Sequence, residues 1–225
     1  MHEDLRVGIR DSLPFHLGVF PFGLVTGIAG LEAGLSPEQA VAMSAVVYAG
    51  ASQLAALELL GDSAPLVLVV GTAVIVNLRL IMYSASIAPY FADKSRRIRA
   101  GVGFLLGDYA YVRSVVEFKN EPGRDRLRYY LGLAGAIWIV WVMGSVIGVG
   151  IGASIPPELE LSFAIPLVFL ALLVSAMKDR TTISTGIAAG IGALVGAAAP
   201  FNFGLVIGAV TGIAAGRFVE VWSSR

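Results

Sequence analysis

Long apolar stretches separated by short polar connections dominate the chain. A membrane-spanning helix needs about 20 consecutive, mostly apolar residues, because the hydrocarbon core of a bilayer is about 30 Å thick. Eight stretches approach that length, at residues 12–34, 39–61, 64–91, 101–118, 127–153, 159–177, 181–199 and 201–217. The pattern therefore predicts an all-α fold, a polytopic transmembrane bundle of about eight apolar segments. The connections are short, so we expect one integral membrane transport domain over residues 1–225.

Basic residues indicate which connections face the cytoplasm, because short cytoplasmic loops hold most of the Lys and Arg of a membrane protein. They cluster ahead of the first segment, after the third, fourth and sixth segments, and at the end of the chain. From the fourth connection onward, basic and non-basic connections alternate. We therefore expect a multi-pass protein of the cell inner (plasma) membrane with both termini cytoplasmic.

The first half of the chain does not alternate in this way. Eight full spans would place the basic connection at residues 94–99 outside the cell. If segments 39–61 and 101–118 are re-entrant or broken instead, every basic connection is cytoplasmic. Re-entrant backbone is tolerated only where protein or a water-filled cavity satisfies its polar groups. Both arrangements stay open on the sequence alone, and the conflict favours a transporter, because transporters often build binding sites from discontinuous helices.

Glycine recurs at four-residue intervals along several segments. This spacing lets helix backbones approach closely in lipid, so it predicts tight helix pairs. Residues 22–27 (FGLVTG) also resemble residues 203–208 (FGLVIG), and each run shortly follows a proline. The resemblance raises an inverted repeat as one explanation and coincidence among glycine-rich helices as the other. The four-residue series include Gly23/Gly27, Gly144/Gly148/Gly152 and Gly204/Gly208/Gly212/Gly216.

Composition narrows the function classes. Hydrophobic residues make up 56% of the chain and charged residues 14%, with a mean hydropathy of +0.79 and zero net charge, whereas a soluble domain has roughly 25% charged residues. Without cysteine and with two histidines, no metal site or cofactor is expected. The sequence has no basic stripe of the kind that binds nucleic acid. It also has no G-x-x-x-x-G-K-[ST] run, the motif that binds nucleotide phosphates. The polar residues at membrane depth form no catalytic set, so we do not expect an enzyme.

Two ionisable residues lie far from the segment ends. Arg79, with Asn77 beside it, lies near the middle of segment 64–91, and Asp108 lies midway along segment 101–118. An unpaired guanidinium at mid-membrane costs about 2.5–3.5 kcal/mol on insertion scales, so Arg79 needs a partner and Asp108 can supply it. A substrate site and a purely structural ion pair are both open at this stage.

The second segment carries a polar helical face. Ser44, Tyr48 and Ser52 are spaced four apart, with Gln53 beside them. Small residues such as Gly50 around an amide and a hydroxyl suit a helix break, and the exposed N–H groups of such a break attract a carboxylate. Interhelical hydrogen bonding is the alternative reading.

The order of these motifs resembles the AzlC-type branched-chain amino-acid permeases, the large subunits of two-component exporters. The resemblance rests on Pro14 with residues 21–23 (PFG), on 48–53 (YAGASQ), on 77–79 (NLR) followed by Tyr83 and Pro89, and on 161–172 (LSFAIPLVFLAL). The proline at position 21 is expected to kink or interrupt the first segment. The candidate substrate-binding residues are Phe22, Gly23, Tyr48, Gly50, Ser52, Gln53, Asn77 and Arg79, with Asp108 the candidate for coupling.

The resemblance implies a secondary transporter that exports branched-chain amino acids, is driven by proton exchange and acts with a small hydrophobic AzlD-like membrane subunit. A channel, or an accessory membrane subunit for another small solute, is the alternative. Two positions depart from the family's pattern: Tyr109 follows Asp108 where the family has an acid, and Ser162 stands where an acid is frequent. Either departure would change coupling or specificity if those acids take part.

Overall fold

A computed structural model describes residues 3–154, 177, 179–196 and 203–223. Within these ranges the chain is helical and contains no β-strand. It forms two compact units, Met1–Ile165 and Pro166–Arg225. Apart from Met177, the sixth predicted segment (159–177) lies outside the described residues, as does Ser162.

Seven α-helices form the described part of the first unit and two that of the second. They are α1 (Glu3–Glu32), α2 (Pro37–Val47), α3 (Gly50–Gly61), α4 (Leu66–Ile87), α5 (Arg96–Phe104), α6 (Asp108–Asn120), α7 (Arg126–Ser154), α8 (Arg180–Gly196) and α9 (Phe203–Ser223), and a 3₁₀ turn, Ala88–Phe91, extends α4. Three of the described helical stretches are long and apolar enough to cross a membrane: Glu3–Glu32, Leu66–Phe91 and Arg126–Ser154. The all-helical fold agrees with the sequence, and the count of about eight segments stays a prediction.

Helices α1 and α7 pack backbone against backbone. A methyl group on Gly23 would lie 2.5 Å from the carbonyl oxygen of Trp141, and one on Gly144 would lie 2.5 Å from that of Phe20. Such distances are shorter than real Cβ contacts, so only glycine fits. The small-residue spacing in α1 and α7 therefore serves close helix packing, as predicted.

Helix α1 runs without interruption through Pro14 and Pro21. Of the two effects predicted for Pro21, the interruption is therefore wrong, and the kink stays a prediction. Proline removes one backbone N–H, yet membrane helices tolerate it where neighbouring groups satisfy the freed carbonyls. Pro21 frees the carbonyl of Leu17, four residues earlier, whereas the Thr26 hydroxyl donates to the carbonyl of Phe22 at 2.8 Å, on the other side of the proline.

Two of the predicted segments are broken into pairs of shorter helices. Segment 39–61 is divided between α2 and α3, and segment 101–118 is divided between α5 and α6. These are the two segments for which the charge pattern disfavoured a simple full span. Both arrangements of these pairs, a full span and a return to the same side, stay predictions.

An aromatic cluster joins the 3₁₀ turn to α6 and α7. The Phe91 ring packs edge-on against Phe118 and Tyr130, with ring centroids 5.8 Å and 5.5 Å away. The hydroxyl of Tyr130 donates to the carbonyl of Val102 at 2.9 Å, which fixes α5 to α7. These buried rings hold the end of α4 and the start of the second broken segment in place.

In the second unit, α8 and α9 pack through a glycine seam. A methyl group on Gly196 would lie 2.7 Å from the Cα of Gly204, and one on Gly208 would lie 2.7 Å from the carbonyl oxygen of Ala189. Residues 22–27 lie in α1 and residues 203–208 begin α9. Both runs are helical, and their relation as an inverted repeat stays a prediction.

We predict that Gly148→Ala lowers the stability of the purified protein by about 1–3 kcal/mol, because the added methyl would overlap the backbone of Leu24. Gly150→Ala is the matched control, since a methyl there meets no atom within 4 Å. Thermal unfolding in detergent compares the two variants. Equal stability of the variants would contradict the α1–α7 contact.

Candidate functional site

The break between α2 and α3 is held by α7. Its indole N–H groups, from Trp141 and Trp138, donate to the carbonyls of Ser44 and Ala45, each at 3.1 Å. These carbonyls belong to the last turn of α2, where helical partners are missing. Tyr48 follows in the left-handed region, with φ 43° and ψ 46°, a conformation that persists in a non-glycine residue only when its surroundings hold it.

Buried hydroxyl and amide groups connect the two half-helices across the break. Gln53 Nε2 donates to Ser44 Oγ at 2.9 Å, and Ser145 Oγ of α7 donates to the same oxygen at 2.7 Å. All three side chains are almost completely buried. An apolar surrounding strengthens such hydrogen bonds. The linked hydrogen bonds of Gln53, Ser44 and Ser145 therefore fix α3 relative to α2 and α7.

Gly50 begins α3 beneath two aromatic rings. A methyl group at this position would overlap the Phe22 ring and lie 3.1 Å from the Trp141 ring. Gly50 was predicted as a small residue at the break, and the structure shows why a small residue is needed there: Phe22 of α1 lies too close for a side chain. Gly23, one residue beyond Phe22, instead contacts the α7 backbone, so the structure places it in the α1–α7 seam and apart from the polar groups.

Helix α4 joins the first break through Asn77. Its Nδ2 donates to Ser52 Oγ at 2.8 Å, and Ser52 Oγ in turn donates to the carbonyl of Ala49 within the break, at 2.9 Å. Neither Asn77 Oδ1 nor Gln53 Oε1 has a hydrogen-bond partner among the described residues. A buried polar atom without a partner costs roughly 1–3 kcal/mol, so these two oxygens are acceptors available to a further donor.

Asp108 is the first residue of α6, directly after the second break. Its carboxylate lies 3.2 Å from Arg79 Nη2, and it accepts a hydrogen bond from the Tyr83 hydroxyl at 3.1 Å. The ion pair predicted from the depth of these residues therefore forms. Their side chains are 38% and 46% exposed, so the pair is accessible rather than sealed.

The two breaks lie next to each other. A methyl group on Gly107, the residue before α6, would lie 3.8 Å from the Tyr48 hydroxyl oxygen. The structure thus brings Ser52, Gln53 and Asn77 together at the first break and Arg79 and Asp108 together at the second, and Tyr48 lies between the two breaks. Gly50 contacts Phe22, whereas Gly23 lies in the α1–α7 seam. The arrangement can bind a carboxylate at Arg79 and an ammonium at Asp108.

Tyr109 points away from this site. Its ring packs on Phe15 of α1 with the centroids 5.0 Å apart. An acid at this position would face α1 instead of Arg79. The departure from the family's pattern therefore leaves the Arg79–Asp108 pair intact.

Sequence reasoning missed a second charged group that joins α1, α6 and the connection between α6 and α7. Arg113 contacts Asp11 at 2.5 Å and Glu117 at 3.2 Å, and Arg124 contacts Asp4 at 3.1 Å. Burial tends to lower the pKa of Arg124, but the carboxylates of Glu117 and Asp4 outweigh it and raise that pKa above its usual value. Only the four-residue spacing of Arg113 and Glu117 was visible in the sequence, and it does not reveal partners about 100 positions away.

Comparison with known proteins identifies the family. The sequence model of the AzlC protein family matches residues 14–155. The chain belongs to the AzlC family, a family of membrane transport proteins. No solved structure is significantly similar to it.

Relatives span most of the chain. It is 25% identical over 216 residues to the inner membrane protein YgaZ of Escherichia coli, which covers 93% of this chain and 86% of that protein. It is 31% identical over 179 residues to a membrane protein of Archaeoglobus fulgidus, covering 78% of this chain and 77% of the relative. A membrane protein of Helicobacter pylori is 26% identical over 187 residues. The chain is therefore a membrane protein.

We predict that Trp141→Phe destabilises the protein by about 1–3 kcal/mol, because it leaves the buried Ser44 carbonyl without its indole donor. Trp222→Phe is the control, since Trp222 is 76% exposed in α9. Unfolding curves in detergent report both changes. A Trp141→Phe variant as stable as the control would show that α7 does not hold the break.

Proposed function

We propose that this protein is a secondary transporter that exports branched-chain amino acids in exchange for protons, as the large subunit of a two-component permease. The observation that carries the proposal is the accessible Arg79–Asp108 pair between two broken helices. An amino-acid zwitterion presents one carboxylate and one ammonium, and this pair presents the complementary charges side by side.

The carboxylate binds at Arg79. The planar guanidinium of Arg79 can hold a carboxylate through two parallel N–H···O bonds. A lysine ammonium cannot reproduce that geometry. Arg79 Nε has no hydrogen-bond partner among the described residues, so the guanidinium keeps donor capacity beyond its contact with Asp108. Asn77 is linked to the first break and fixes the helix that carries Arg79.

The ammonium binds at Asp108, where it replaces Arg79 as the cationic partner. An ionised Asp108 attracts the ammonium, whereas a protonated Asp108 does not. Proton and substrate therefore exclude each other at this carboxylate. Mutually exclusive binding is the condition for exchange, in which an inward proton drives an outward amino acid. The apolar tail then packs against aromatic walls such as Phe22.

We predict that Arg79→Gln lowers leucine transport about tenfold or more, because a charge-assisted hydrogen bond contributes roughly 1.5–3 kcal/mol. Arg79→Lys keeps the charge, loses the planar fork and transports poorly. Asp108→Asn abolishes the response to a pH gradient. Uptake of leucine, isoleucine and valine into vesicles at several pH gradients measures the transport of all three variants.

A matched control is the surface pair Arg128 and Asp125, whose side-chain atoms are 3.4 Å apart. Neutralising that pair leaves transport unchanged. If the Arg79–Asp108 pair only held helices together, the double variant Arg79→Gln/Asp108→Asn would restore folding and transport together. Normal transport by the double variant would remove the site assignment, and conductance that does not saturate would favour a channel.

We further propose that the membrane orientation follows the basic connections, with both termini cytoplasmic. Because the chain lacks cysteine, single cysteines at Glu3 and Ser224 report each end separately. Ser12 is unsuitable as a reporter, since it is buried in α1. We expect both cysteines to react only with membrane-permeant reagents in intact cells; reaction with an impermeant reagent would reverse the assignment.

The partner subunit remains part of the proposal. Helix α4 is the least covered of the three long helices, since 6% of the residues in its most apolar stretch are buried, against 44% in α1 and 39% in α7. We expect the protein to co-purify in mild detergent with a small hydrophobic membrane protein. Full transport by this chain reconstituted alone would argue against the two-subunit arrangement.

A further inference from the structure

A groove runs between α4 and α5, further along the face of α4 that carries Asn77, since Ile81 and Ser84 of its lining follow Asn77 by four and seven residues. One cavity of about 370 Å³ is floored by Ile87, Phe91, Val102 and Leu106 and reaches Arg96 and Arg99. A second, of about 560 Å³, extends along α4 to Leu80 and Ile81. Both cavities are lined by Ser84, Ala88, Gly103 and Leu106. They are therefore continuous and are together called the α4–α5 groove.

The groove is apolar along its length and basic at one end. Residues 93–99 hold four basic side chains against one acid. Asp93 pairs with Lys94 at 2.7 Å, and no carboxylate of the described residues forms an ion pair with Arg96, Arg97 or Arg99. Arg96 and Arg99 line the groove, whereas Arg97 does not. The end of the groove is thus an uncompensated positive site.

The length of the groove matches one leaflet of a bilayer. Its lining extends along the helix from Leu80 to Phe91, which at about 1.5 Å per residue is roughly 16 Å. Half of a hydrocarbon core of about 30 Å is about 15 Å. The basic end therefore falls at headgroup depth when the apolar part lies in the acyl region.

We propose that the α4–α5 groove binds an anionic phospholipid, with one acyl chain along α4 and the phosphate between Arg96 and Arg99. A neutral lipid would fill the apolar part and leave the arginines uncompensated. A protein helix would cover the groove without supplying a negative charge at its end. Basic pockets of this kind beside membrane helices suit anionic headgroups.

Native mass spectrometry of the detergent-solubilised protein, titrated with phosphatidylglycerol or phosphatidylcholine of the same acyl chains, tests the proposal. We expect wild type to prefer phosphatidylglycerol. Each basic residue near a headgroup contributes about fivefold in affinity, so Arg96→Gln/Arg99→Gln should lower phosphatidylglycerol binding roughly 30-fold and remove the preference. The matched control, Lys94→Gln/Arg97→Gln, removes the same charge from residues 93–99 and should retain most of the phosphatidylglycerol binding.

Two glycines of α5 test the apolar part. A Cβ on either Gly103 or Gly101 meets no atom within 4 Å, yet only Gly103 lines the groove. Gly103→Leu should therefore block phosphatidylglycerol binding and Gly101→Leu should not. Equal binding of both lipids, equal loss in both charge variants, or an unaffected Gly103→Leu would overturn the proposal.

A final arm identifies a protein occupant. Ala85 also lines the groove, and a cysteine there should react with a thiol reagent once lipid is removed by detergent. If that cysteine stays unreactive after delipidation or forms a disulfide-linked dimer, then a helix or a second copy of the chain fills the groove. Either result would overturn the lipid assignment.

Discussion

The backbone contact between α1 and α7 determines where everything else in the first unit can lie. Glycines on both helices bring the two backbones so close that a methyl group on Gly23 would overlap the carbonyl of Trp141. The same stretch of α7 carries Trp138, Trp141 and Ser145, which face α2. One seam therefore fixes α1 and also presents the donors that a broken helix needs.

A break inside an apolar segment is stable only if protein groups satisfy its backbone, because lipid offers no hydrogen bonds. Here two indoles hold the end of α2, and Ser44 and Gln53 hold α3 across the gap. Ser52 then contacts Asn77 of α4. Arg79 is two residues further along α4, where it reaches Asp108 at the start of α6. The position of the charged pair thus follows, contact by contact, from the α1–α7 seam.

Sequence patterns predicted those features that depend on local composition. The break at residues 48–50 was visible as small and polar residues inside an apolar run, and the Arg79–Asp108 pair followed from the free energy of an unpaired charge at depth. The sequence predicted a kink or an interruption at Pro21 and could not choose between them, because the effect of a proline depends on the groups that neighbour it in the fold. The Asp11–Arg113 contact was also missed, since its partners are far apart in the chain and no local pattern relates them.

The most direct test of the account is the affinity of purified protein for leucine and leucinamide, measured by equilibrium binding at neutral pH. Leucinamide keeps the amine and the side chain but has no carboxylate, so the account predicts that wild type binds leucine more tightly. In Arg79→Gln the two affinities should become equal, because the carboxylate has lost its partner. A preference for leucine that persists in Arg79→Gln would contradict the account.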